Sequence, residues 1–234
     1  MPITVNCQQG SGKWLYTKLG KPSSSNFGLI VSPKGKARQN KAGTDWGETT
    51  KTYMLQLLGE RLTGRTTEFF VSQAMEHGTN TEPEARAWYS MRQDVEVEQV
   101  GFITDDKSRW GCSPDGLVGA DGGLEIKCPT LTNHLRHLVK GGVPTHWMPQ
   151  IQGCLWITGR AWWDFLMYSD QENIPSPLIR VVPDPVLHAA FDEHIKAFCD
   201  ELDGMEKQLR EQYDIPDRPT VDVEQMSADA VYPF

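Results

Sequence analysis

Apolar positions recur along this chain with two periods, and the switches between them predict its elements. Between Thr49 and Leu62, Tyr53, Leu57 and Leu58 share one face of a 3.6-residue repeat, which predicts a helix. Phe69 to Met75 predicts a second helix. A third follows a turn at Gly78, with Pro83 in its first turn, where the missing N–H is harmless, and Ala85, Ala87, Trp88 and Tyr89 beyond. Val95 to Phe102 alternates Val with Glu and predicts a strand. Cys112 to Leu117 and Leu124 to Cys128 are short apolar runs separated by the glycine-rich stretch Gly119 to Gly123, the composition of a hairpin. Pro129 ends the second run. Leu131 to Val139 predicts a helix closed by Gly141 and Gly142. Pro149 to Ile157 predicts another. Ala161 to Tyr168 and Leu178 to Val182 predict strands. Pro185 to Tyr213 predicts a long amphipathic helix, with Phe191, Ile195, Phe198 and Leu202 at helical spacing. Helices, a mixed set of strands and more helices together predict an α/β class.

Two stretches fall outside this patterning. Gly20 to Lys41 is rich in Ser, Pro, Gly, Lys and Asn and predicts a loop. Within it Lys34, Lys36, Arg38 and Lys41 form the densest basic cluster of the chain. That cluster is either a solvated loop, the ordinary meaning of a charge run, or a contact for phosphates. The tail from Asp214 is Pro-rich and acidic, and is either mobile or docked on a neighbouring subunit.

Composition narrows the picture. The 234 residues fit one large domain, and an apolar share of 38% with 23% charged residues is ordinary for a soluble globular protein. No apolar run is long enough to cross a bilayer, and the start lacks the basic-then-apolar order of a signal peptide, so a cytoplasmic protein is expected. Five cysteines without a C-x-x-C pair argue against a disulfide framework and a zinc ribbon. They also lack the C-terminal clustering of an iron–sulfur nuclease. The net charge of −8 speaks against simple coating of DNA. It leaves room for a cleft of carboxylates that holds phosphate through a metal ion.

The run Leu124 to Cys128 carries the candidate chemistry. Side chains alternate faces along a strand, so Glu125 and Lys127 point one way while Leu124 and Ile126 point the other. Asp115 lies across the expected hairpin and can converge on Glu125. Two carboxylates are hard ligands for magnesium or manganese. A lysine beside them can orient the attacking water or serve as its base. A Glu-x-Lys pair alone is common on ordinary strands. The fuller order is more specific: Pro-Asp, a turn, an apolar strand with Glu-x-Lys, then Cys-Pro. Other motifs carry less. Gly10 to Lys13 lacks the first glycine of a phosphate-binding loop and has Trp14 where Ser or Thr is needed. His134 and His137 lack a partner for zinc and suit solvated or capping roles. Cys112 and Cys128 have no activating base and suit packing, as do Trp162 and Trp163.

Cys112 to Leu117 followed by Gly123 to Pro129 resembles the metal site of the phage lambda exonuclease family, the YqaJ-type viral recombinases of the PD-(D/E)XK nuclease superfamily. The similarity extends to Pro149 to Thr158, where Gln150 matches a glutamine facing the active site. It also reaches His77 to Glu82, where Glu82 matches an additional acidic group. The resemblance implies a restriction-endonuclease-like core, a central mixed β-sheet flanked by helices, within a single domain. In it, 1–48 is a DNA-end-binding segment, 76–182 the catalytic core and 214–234 a tail. It implies catalytic roles for Asp115, Glu125, Lys127, Gln150 and Glu82, a metal set of Asp115, Glu125 and Ile126, and two Mg2+ ions that Mn2+ can replace. The family grips a 5′-phosphate with a tryptophan, an arginine and a Ser/Thr turn. Here Trp14, Lys18 and Ser23 to Ser25 occupy those places, with Ser25 and Ser113 as phosphate-binding hydroxyls. Lysine for arginine keeps the charge and loses the bidentate geometry. The implied activity is 5′-to-3′ digestion of double-stranded DNA to mononucleotides, leaving single strands for recombination by annealing. The implied setting is a homotrimeric ring on DNA ends, a single-strand annealing protein as partner, no membrane, and the bacterial host cytoplasm with a phage or prophage origin. The residues leave open an endonuclease of the same superfamily, or a DNA-binding recombination protein without hydrolysis.

Overall fold

The computed structural model describes residues 1–66 and 73–217. Its centre is a five-stranded sheet in the order β2 (Val97–Glu98), β5 (Gly116–Val118), β6 (Gly122–Lys127), β7 (Trp162–Met167), β8 (Leu178–Val181). β6 and β7 run parallel, and the other neighbours are antiparallel. A parallel pair needs a crossover. Here α4 (Leu131–Lys140) and α5 (Met148–Thr158) supply it. A separate three-stranded sheet joins β1 (Ile3–Val5), β3 (Phe102–Thr104) and β4 (Gly111–Cys112). This is a mixed α/β architecture, as the element pattern predicts.

Each face of the large sheet has its own apolar layer. One packs Trp163 and Phe165 against Ile151 and Leu155 of α5, with Tyr53 and Leu57 of α2 (Glu48–Thr63) and Phe191 and Phe198 of α6 (Pro185–Tyr213) in the same core. The other packs Leu124, Ile126 and Leu166 against Ala85 and Tyr89 of α3 (Gln73–Gln93). Strand alternation therefore holds as expected. Trp163 faces the first layer, and Trp162 is packed on the second. Asp164, 2% exposed, is kept by two bonds from Arg180 and one from Tyr89, so a buried charge ties α3 to β7 and β8.

The structure corrects several expectations. Val95 to Phe102 is not one strand. β2 and β3 belong to different sheets, because the chain turns at Gly101, where a Cβ would lie 2.3 Å from Cys7 Sγ. Cys112 to Leu117 divides in the same way into β4 and β5. Gly78 is no turn. It lies inside α3, and Pro83 therefore sits in the helix interior instead of the first turn. Gly78 also lines a cavity beneath that helix, where a side chain would take up space. Of the helix expected from Phe69, residues 69–72 lie outside the described set, and Gln73 onward belongs to α3. The short helix α1 (Gly12–Lys18) and a 3-10 turn at Ser24–Leu29 carry no apolar period and were not predicted. His134 is buried with its Nε2 bonded to the Pro175 carbonyl, so its role is structural and not solvated.

Candidate active site

Four stretches of chain bring the expected residues together. β6 presents Glu125 toward α5, which carries Gln150, and the segment between β4 and β5 carries Asp115. Lys127 Nζ lies 2.6 Å from Glu125 Oε1, and Gln150 Nε2 donates to the same oxygen at 2.6 Å. Asp115 Oδ2 accepts the Ile126 N–H at 2.6 Å, across the hairpin whose register pairs Gly116 with Leu124. Glu82 reaches the group from α3 and is ion-paired with Arg86. A cavity of about 250 Å³ is lined by Gly78, Glu82, Asp115, Ile126, Lys127 and Trp147 among others. A larger hollow of about 790 Å³ runs along the edge strand β2, beside Glu96, Glu98 and Trp162, and holds none of these groups.

The electrostatics are those of a carboxylate cluster short of positive charge. Burial pushes the Glu125 carboxyl up to about 8; the Lys127 ammonium opposes the shift and the Asp115 charge adds to it. Burial raises Asp115 too, against Lys127, the Ile126 N–H and Arg86. Glu82 rises through burial and Asp115, against Arg86 and Lys127. For Lys127, burial works downward, but Glu125 and Asp115 hold the ammonium above its ordinary range. Three acids thus share two cations, Lys127 and Arg86. A carboxyl of the cluster keeps a proton near neutrality unless further positive charge enters.

The donor set fits a divalent ion. Glu125 Oε2 is buried and has no hydrogen-bond partner, an expensive condition for a carboxylate oxygen unless a cation meets it. Among the described residues, no group of three or more His, Cys, Asp or Glu side chains could cage an ion alone. Magnesium does not need such a cage, since it keeps several waters and takes one or two carboxylates together with a phosphate. Cys128 lines the same cavity, but burial pushes its thiol up to about 12, which makes it a poor thiolate ligand.

A second group of expected residues converges nearby. Trp14 Nε1 donates to Ser113 Oγ at 2.8 Å and to the Gly101 carbonyl at 3.2 Å. Lys18 Nζ sits 4.6 Å from the centre of the Trp14 ring, and burial lowers its pKa against the opposing charge of Glu60. Ser23 bridges to Gly111, and its hydroxyl lies 2.9 Å from that of Ser25. Ser113 stands two residues before Asp115, so one short segment joins this group to the acids. Lys34, Lys36, Arg38 and Lys41 are exposed, and none lines the cavity beside Asp115 and Lys127.

Two residues of the site went unread in the sequence. Arg86 lies four residues after Glu82 on one helix, a spacing that could have flagged the pair. Trp147 lines the cavity with Lys127 Nζ 5.9 Å from its ring centre, and nothing in its neighbourhood marks it.

Comparison with known proteins agrees with this fold. Residues 13–161 match the profile of the YqaJ-like viral recombinase domain. The alkaline exonuclease LHK-Exo of Laribacter hongkongensis superposes with a TM-score of 0.75 at 30% identity, covering 86% of this chain and 96% of that one. A second structure of that exonuclease, in complex with dAMP, gives the same figures. A phage-related exonuclease from Haemophilus somnus 129PT superposes at a TM-score of 0.60 and 14% identity over 81% of this chain and 96% of that chain, a likeness of fold alone. No curated protein matches in sequence.

Proposed function

The chain belongs to the YqaJ-like viral recombinase family, and from that membership we propose that it is a metal-dependent exonuclease acting on double-stranded DNA. It degrades one strand from the 5′ end and releases mononucleotides. The observation that carries this is the convergence of Asp115, Glu125, Lys127 and Gln150, with one buried Glu125 oxygen left for a cation. Asp115 and Glu125 would hold Mg2+, with Ile126 and Glu82 lining the same cavity as Asp115. A bound divalent ion supplies Lewis-acid polarisation of the scissile phosphate and charge for the departing oxygen.

The chain's own residues do the rest. Gln150 and Lys127 both hold Glu125 Oε1, which leaves Oε2 to face the ion. Lys127 stays protonated while the carboxylates are uncompensated, and it then orients the attacking water by donating to it. A bound cation that neutralised the acids would lower its pKa, and the free amine, its own proton lost to solvent, could then take one from the water. Lys18, Ser25 and Ser113 would take the terminal 5′-phosphate, with Lys18 a point charge lacking an arginine's fork. The partners that fit are DNA ends, further copies of this chain in a ring, and a single-strand annealing protein, in a bacterial cytoplasm.

Digestion of linear duplex DNA with Mg2+ tests the proposal. The expected result is loss of linear DNA, faster from 5′-phosphorylated than from 5′-hydroxyl ends, with covalently closed circles spared. Cutting of closed circles would make it an endonuclease. Binding without cleavage in Mg2+ or Mn2+ would leave a non-hydrolytic recombination protein.

A further inference from the structure

Among the described residues, Arg86 is the strong cation at this site that touches no catalytic acid of β6. Its side chain is 13% exposed, so its donors must be used inside the protein. One amino group pairs with Glu82 Oε1 on the same helix. Its Nε donates to the main-chain oxygen of Asp115 at 2.9 Å. With the Gln99 amide oriented to satisfy both partners, Gln99 Oε1 accepts from Nη1 at 2.8 Å and Nη2 at 3.3 Å. One rigid guanidinium therefore joins α3, the segment before β5 and the segment after β2, and these arrive from separate parts of the chain.

The consequence for Asp115 is specific. Its carboxylate is fixed by the Ile126 N–H and its carbonyl by Arg86, so it is held at both ends. Glu82 is fixed through one oxygen only, and it lines the cavity beside Asp115. A lysine could not make this joint, because its three donors radiate from one nitrogen, whereas these acceptors meet Nε, Nη1 and Nη2 along the edges of a plane.

We propose that Arg86 is a positioning residue for divalent-metal binding: it sets Asp115 and Glu82 at the spacing that the ion requires. The inference rests on the metal-dependent nuclease proposed above. Groups that orient metal ligands typically govern affinity by about 10- to 100-fold. Calorimetric titration of the full-length protein with Mg2+ alone reads this without DNA or turnover. R86A and R86K are both expected to weaken Mg2+ binding by at least about tenfold. Gln99→Ala, which frees only part of the guanidinium, should weaken it less. Duplex digestion should recover in the Arg86 variants when Mg2+ is raised, a rescue that a merely structural role would not give. Wild-type Mg2+ affinity in folded R86K would overturn the assignment, and R86K also answers if R86A does not fold. A wild-type protein that binds no Mg2+ would overturn the nuclease proposal itself, which separates the two failures.

Discussion

The indole N–H of Trp14 donates to the hydroxyl of Ser113 at 2.8 Å, across 99 positions of sequence. That bond fastens helix α1 to the segment that ends in Asp115. Because the Ser113 oxygen accepts from Trp14, its own proton is free to be donated outward. Trp14→Phe keeps an aromatic ring and removes the indole N–H, with its bonds to both Ser113 and the Gly101 carbonyl. The expected cost is about 1 kcal/mol of stability. The KM for 5′-phosphorylated duplex should rise several-fold while 5′-hydroxyl duplex is digested as before. Equal effects on both ends would show that the bond serves only packing.

Glu125→Gln keeps the shape of a buried side chain and removes its charge. Cleavage should fall by a hundredfold or more, in line with roughly hundred- to thousandfold losses when one electrostatic stabiliser is removed from an active site. The metal-free variant should melt no lower than wild type near neutral pH, where the buried wild-type carboxyl already keeps a proton and the amide replaces one neutral group by another. Paired melting and digestion assays check this, and a lower melting temperature with activity retained would contradict it.

The raised Glu125 pKa gives stability a pH dependence with a definite sign. Unfolded, the carboxyl releases its proton near 4.5; folded and metal-free, it holds it to about 8. Between those values the folded state binds more protons, so metal-free stability falls as pH rises. Metal binding must displace the retained proton and therefore tightens over the same window. The rise in melting temperature caused by Mg2+ should be larger at pH 8 than at pH 6. Calorimetry in buffers of different ionisation heat should show proton release, and no release at pH 6.5 would refute the shift.

Gly123 is the second residue of the strand that delivers Glu125, and a Cβ there would lie 2.3 Å from the Trp163 ring, itself fully buried. Gly123→Ala should therefore cost roughly 1–3 kcal/mol through overpacking. It should also lower kcat by moving β6. A denaturant melt with a steady-state assay measures both, and a variant with wild-type stability would mean that Trp163 gives way freely.

Much of the site was legible because its signal is local. The alternation from Leu124 to Lys127 places Glu125 and Lys127 on one face, and the two-sided burial of β6 follows it. Pro185 and Tyr213 bound α6 in sequence and structure alike. What was missed depends on distant contacts. Gly101 and the Ser113 segment end strands because the chain there changes sheets, beside Cys7 and Trp14, which lie about a hundred residues away. Pro83 and Gly78 resemble helix breakers, yet packing of α3 against β6 overrides their local preference. Arg86 gains its meaning only once Asp115 and Gln99 stand beside it.

The change of sheets between β4 and β5 leaves Ser113 and Asp115 two residues apart on one stretch of chain. Two residues of backbone span at most about 7 Å. On the proposed function, one end of that stretch touches the terminal phosphate and the other serves the bond to be cut. The distance between them is then written into covalent backbone instead of into the packing of separate elements. Such a gauge cannot stretch beyond its covalent limit, so the advance in each catalytic cycle would be bounded by the backbone itself.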